Sequence, residues 1–119
     1  MIRNNMQINA IKVTNMEMTE AIETYVREKL DMIDKLVGDF RPEPTADVEL
    51  GKTSLHHNKG PFFFTEINLT VPGELLRART EAEDLYEAID LAKDDLRRQV
   101  TDFKDRLVEA NREPRPDKV

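Results

Sequence analysis

Residues 71–99, VPGELLRARTEAEDLYEAIDLAKDDLRRQ, set a tight turn, a strand and a long amphipathic helix in direct succession. No other part of the chain restricts the fold as much. Pro72-Gly73 is a turn signal, because proline presets φ and glycine accepts the positive φ that follows. Leu76, Ala78, Thr80 and Ala82 alternate with Arg77, Arg79 and Glu81, the two-residue period of a strand with one buried face. From Asp84 the period becomes helical. The strand has one apolar face and the helix one apolar stripe, so the two must bury them in adjoining layers.

The remaining segments supply the partners. Residues 6–13 have the pattern of a first strand. Thr19 is a suitable N-cap, and Glu20 and Glu23 fall in the first turn, where the helix dipole favours acids. Ile22, Val26, Leu30, Ile33 and Val37 recur at helical spacing, and Gly38 is expected to end that helix as a C′ glycine. Arg41-Pro42-Glu43-Pro44 is a stiff connector. Ala46, Val48 and Leu50 mark a second strand, residues 54–61 a polar loop, and Phe63, Thr65, Ile67, Leu69 and Val71 the inner face of a third strand. Leu75 to Ala82 is the fourth. The second helix runs from about Asp84 to Val108, about 37 Å. The expected organisation is one α+β domain over residues 1–108 and a polar tail over residues 109–119. Its architecture is a two-layer β-α-β-β-β-α fold: a four-stranded sheet with both helices on one face, similar to a double-stranded-RNA-binding domain. The right-handed crossover rule makes strands one and two parallel, and strands two to four form an antiparallel meander.

The chain has 119 residues, which suits one domain. It has no cysteine, which excludes disulfides, thiolate metal sites and cysteine catalysis and fits a reducing cytoplasm. No apolar run approaches the ~20 residues of a membrane span, and the N-terminus lacks the apolar core of a signal peptide. The expectation is a cytoplasmic protein with no membrane partner. Net charge is −6, from 24 acids against 18 Lys and Arg. An acidic total argues against nucleic-acid binding, which needs clustered cations to neutralise phosphates, so the distribution of charge decides.

On a wheel of the second helix, Leu85, Ile89, Ala92, Leu96, Val100, Phe103 and Leu107 form the sheet-facing stripe. Lys93, Arg97 and Lys104 fall on one flank with Tyr86. Glu87, Asp94 and Asp105 lie on the far side, and Asp95 and Asp102 on the opposite flank. The cations are therefore expected to be sorted away from most of the anions, as a positive ridge. The simpler reading is a solvated face, with Lys93, Arg97 and Lys104 pairing with Asp90 or Asp94 at i, i+3 or i+4.

Asp84-Leu85-Tyr86-Glu87-Ala88-Ile89-Asp90 followed by Leu96-Arg97-Arg98-Gln99 resembles the ribosome hibernation-promoting factor family, also called ribosome-associated inhibitor A or sigma-54 modulation protein. Residues 17–22 and 25–30 resemble the family's strand-to-helix junction and its Tyr-Val…Lys-Leu run. The resemblance extends over roughly Met6 to Arg106 and implies the same fold. It further implies a factor that catalyses nothing. Such a factor occupies the tRNA and mRNA channel of the small ribosomal subunit and inhibits translation. Its partners would be 16S-type rRNA and ribosomal proteins, with no small-molecule substrate and no cofactor. Long members carry a further domain that pairs two ribosomes, and the expectation here is the short form without it. Lys29, Lys93, Arg97, Arg98 and Lys104 would meet rRNA, with Lys52, His57 and Lys59 adding phosphate contacts from the loop side. Asp95 stands where the family commonly has lysine, and Asp102 near another basic position.

Lys29 lies beside the apolar stripe of the first helix, where its stem can cover the core edge. Tyr25 and Tyr86 are expected to seal the junction of the helices or to stack on bases. Arg77 and Arg79 should oppose Asn68 and Glu66 on a mixed outer sheet face, where Phe62 and Phe64 are out of place unless they stack or pack under the loop. Neighbouring residues of a strand point to opposite faces, so His56-His57 do not converge on one ion. No phosphate loop, nucleophile elbow or metalloprotease motif is present, so no catalytic residue and no metal ligand is nominated. Two further readings stay open. One is a protein-interaction or regulatory module of the same fold with weak or no RNA binding, which Asp95, Asp102 and the net charge favour. The other, more distant, is a small enzyme using His56 or His57.

Overall fold

The computed structural model describes residues 6–54 and 62–111. The elements are β1 (Gln7–Thr14), α1 (Glu20–Val37), β2 (Thr45–Lys52), β3 (Phe63–Val71), β4 (Glu74–Ala82) and α2 (Leu85–Ala110). The sheet order is β1-β2-β3-β4. β1 and β2 are parallel and joined through α1, while β2, β3 and β4 form the antiparallel meander. Pro72-Gly73 links β3 to β4 with Val71 paired to Glu74, and Gly73 takes φ +83° as the turn requires.

Both helices begin on side-chain caps, Thr19 as its sequence position indicates and Asp84 one residue before α2. Thr19 Oγ1 accepts from the Ile22 N–H at 3.1 Å, and Asp84 Oδ2 accepts from the Glu87 N–H at 3.1 Å. The C-terminal end of α1 departs from expectation. Gly38 lies at φ −65°, in the right-handed region, and its N–H bonds the Asp34 carbonyl at 2.7 Å. The glycine therefore extends the helical ladder by one bond instead of reversing the chain as a left-handed C′ residue.

One core fills the space between the layers. Ile22, Val26, Leu30, Ile33 and Val37 of α1 meet Ala46, Val48 and Leu50 of β2, Ile67, Leu69 and Val71 of β3, and Leu76 and Ala78 of β4. α2 adds Leu85, Ile89, Ala92, Leu96, Val100 and Phe103. Two positions on α2 correct the wheel: Ala88 is buried and Leu107 is 37 % exposed. α2 has 26 residues, about 39 Å, and its last turn leaves the core behind. At the other end of the sheet Gly51 takes φ +150°, and a Cβ there would stand 1.9 Å from the Thr14 carbonyl oxygen on β1. Only glycine lets the two parallel strands approach so closely.

Phe64 is packed and not free to stack on bases. It lies on the outer face yet is only 4 % exposed, opposite Gly51 and with the Arg79 guanidinium 4.5 Å from its ring centroid. Phe62 is half-buried. Around them the outer face is the mixed polar surface expected, with Arg77 Nε donating to Asn68 Oδ1 at 2.8 Å and Arg79 Nη1 3.5 Å from Glu66 Oε1.

Candidate nucleic-acid interface

The helices run the same way along the sheet, because Tyr25 meets Tyr86 near their starts and Leu36 meets Lys104 near their ends. Tyr86, Asp90, Lys93, Arg97 and Lys104 recur at helical spacing on α2. Both ends of that stripe touch α1, so the stripe lines the seam between the helices. Lys29 of α1 joins it, with Nζ 3.5 Å from Asp90 Oδ1 and 4.8 Å from the Tyr25 ring centroid.

The seam opens on a polar junction. The Tyr25 hydroxyl donates to Asp90 Oδ1 at 2.7 Å, and the Tyr25 and Tyr86 rings meet edge to face at 4.8 Å. The bond to Asp90, helped by burial and by the surrounding carboxylates, pushes the Tyr25 phenol up to about 12. The tyrosines thus seal the helix junction, and the Lys29 stem covers the core edge. Asp90 takes part through Tyr25 and Lys29, a role its four-residue spacing from Tyr86 hints at but does not specify.

Farther along, Lys93 is 12 % exposed and pairs with Asp94 at 2.6 Å. Arg97 is exposed; its carbonyl oxygen accepts from Thr101 Oγ1 at 3.1 Å, and among the described residues its guanidinium has neither a hydrogen-bond nor an ion-pair partner. Lys104 Nζ donates to the Leu36 carbonyl oxygen at 2.8 Å and lies 6.0 Å from the Phe40 ring centroid.

The opposite flank of α2 faces β4. Gln99 Nε2 donates to the Arg77 carbonyl oxygen at 2.7 Å and to Asp95 Oδ2 at 3.1 Å. Arg98 Nη2 bonds Asp95 Oδ1, and Arg106 pairs with Glu74 at 3.0 Å. The expected sorting of cations from anions is therefore incomplete. Arg98 lies outside the seam and is tied to Asp95, and Lys93 reaches its own neighbour Asp94. Lys52 ends β2 with an exposed side chain, opposite Phe63 in the register. His57 and Lys59 lie outside the described residues. The structure therefore brings Lys29, Lys93, Arg97 and Lys104 onto one line and leaves Arg98 and Lys52 off it. Among the described residues no group of three or more His, Cys, Asp or Glu is placed to hold a metal ion, and no helix is long and apolar enough to cross a membrane.

Fold and seam define a two-layer α+β domain with two parallel helices on one face of a mixed sheet. Residues 10–108 match the family described as sigma 54 modulation protein / S30EA ribosomal protein, and the chain belongs to that family. It is 34 % identical over 113 residues to a ribosome hibernation promotion factor of Deinococcus radiodurans, covering 94 % of this chain and 56 % of the relative. It is 34 % identical over 105 residues to the factor of the same name from Lactococcus lactis, covering 88 % and 52 %. The chain spans about half the length of these curated relatives. Among solved structures, the Thermus thermophilus Protein Y N-terminal domain superposes with a TM-score of 0.68 at 36 % identity, covering 82 % of this chain and 98 % of that one. A ribosomal subunit interface protein from Coxiella burnetii shares the fold, with a TM-score of 0.62 at 18 % identity over 84 % of this chain and 97 % of that one.

Proposed function

We propose that this chain is a non-catalytic, cytoplasmic ribosome-binding factor of hibernation. In this reading it occupies the tRNA and mRNA channel of the small subunit, contacts 16S-type rRNA and ribosomal proteins there, and so inhibits translation. The family match over residues 10–108, with relatives named ribosome hibernation promotion factor, carries the proposal. The seam supplies its physical basis. Lys29, Lys93, Arg97 and Lys104 fall along one stripe beside the junction of the helices, and Lys93 to Lys104 alone extends over about 16 Å of helix. Cations along a line neutralise successive phosphates and release their counter-ions, whatever the total charge of the protein. Arg97 is the foremost contact, since it has no internal partner to give up. Arg98, Lys52, His57 and Lys59 are secondary contacts from outside the seam.

Sedimentation of the purified protein with small ribosomal subunits at low salt tests this. Co-sedimentation that weakens with salt is expected, and Arg97→Glu should reduce it at least tenfold. A second reading, a protein-interaction module with weak or no RNA binding, is favoured by the Arg98–Asp95 and Lys93–Asp94 pairs. Protein that stays at the top of the gradient at low salt would count against ribosome binding and leave that reading in its place.

A further inference from the structure

The seam contains one acid on its α1-facing stripe. Asp90 Oδ1 accepts from the Tyr25 hydroxyl at 2.7 Å and lies 3.5 Å from Lys29 Nζ. A carboxylate oxygen held by a phenol and an ammonium sits where a phosphate oxygen would sit, because both are oxyanions that accept charge-assisted hydrogen bonds. The pair is reachable: the side chains of Asp90 and Lys29 are 43 % and 24 % exposed. Tyr25, pushed up to about 12, remains a hydrogen-bond donor at neutral pH. Lys93 and Arg97 continue the same stripe one and two turns beyond Asp90.

Resting on the RNA-facing reading of the seam, we propose that Asp90 is a built-in stand-in for phosphate. In the free protein it holds Tyr25 and Lys29 aligned, and an RNA phosphodiester displaces it as their acceptor. The exchange lowers affinity, since the phosphate must compete with a tethered carboxylate and then lie beside it. It also lowers salt dependence. Lys29 neutralises a phosphate and frees that phosphate's counter-ion, but Asp90 remains beside it and offsets part of that neutralisation. Tyr25 and Lys29 are already ordered, so little side-chain freedom is lost on binding.

Asp90→Asn tests the exchange, because the Asn carbonyl still accepts from Tyr25 while the charge is gone. With small ribosomal subunits as the probe, the variant should bind several-fold tighter than the native chain at low salt. Its plot of log K against log salt should be steeper, by up to about 0.7–0.9, the value of one phosphate. Adding Lys29→Gln to Asp90→Asn should remove both gains. Asp90→Ser, which also offers an acceptor without charge, should change affinity in the same direction and serves if the Asn variant folds poorly. A run without ribosomes and the circular dichroism of each variant exclude pelleting of misfolded protein. If the native chain binds and the folded variants bind equally or more weakly, Asp90 is no competitor and the proposal falls while the RNA-binding function stands. If neither the native chain nor the variants co-sediment, the function falls and takes this proposal with it.

Discussion

The ammonium of Lys104, near the end of α2, donates to the carbonyl oxygen of Leu36 in the last turn of α1 at 2.8 Å, across 68 positions of sequence. The final carbonyls of a helix lack intrahelical donors and form its negative pole. Lys104 satisfies one of them while joining the far ends of the two helices. Lys104→Met should therefore lower stability by about 1–2 kcal/mol, the value of a charge-assisted bond at a helix terminus. Urea unfolding checks this as a lower midpoint at unchanged slope. Because Lys104 is structurally engaged, Arg97 is the cleaner residue for testing the interface.

Gly51→Ala should be more damaging. The added methyl would stand 1.9 Å from the Thr14 carbonyl oxygen, and a φ of +150° is strained for any side chain. β1 must move or Gly51 must change conformation, a loss of about 2 kcal/mol or more. Faster exchange of the β1 amides, with β3 and β4 less affected, would locate the damage at the parallel pair.

Thr65 offers a change in the other direction. It is fully buried, and its hydroxyl has no hydrogen-bond partner among the described residues. Thr65→Val keeps the shape and removes an unpaired polar atom, so stability should rise by about 1 kcal/mol. A midpoint that falls instead would show that the hydroxyl has a partner in solution.

Alkaline titration reports on the helix junction. Folding favours the neutral phenol of Tyr25, whose value rises from 10.0 to about 12. Its contribution to stability is complete below pH 10 and is lost as pH rises toward about 12. Tyrosinate absorbance should show one late-titrating group, absent in Tyr25→Phe. In Asp90→Asn that group should titrate earlier, because both the charged acceptor and its field are removed.

The fold was legible in the chain because each element carries its own period and its own punctuation. The Thr19 cap, the Pro72-Gly73 turn and the opposition of Arg77 to Asn68 and Arg79 to Glu66 all follow from local rules of sequence. Gly38 did not follow them, since a glycine after a helix permits a left-handed residue without requiring one. Alternation places Phe64 on the outer face and leaves open whether it is covered, because the period assigns a face and not what lies over it. Opposite Gly51, with Arg79 laid over the ring, an outward phenylalanine becomes buried.

The sequence by itself determined which residues share a face of α2, because the helical period fixes their angular positions. Tertiary structure alone decided which of those faces meets another element and what each charge finds there. The flank with Tyr86 became a seam because α1 runs beside it. Lys29 gained Asp90, Lys104 gained a carbonyl and Arg98 was drawn to Asp95, leaving the Arg97 guanidinium without a partner among the described residues. Two of those partners lie more than sixty residues away along the chain, and only packing in three dimensions brings them within hydrogen-bonding range.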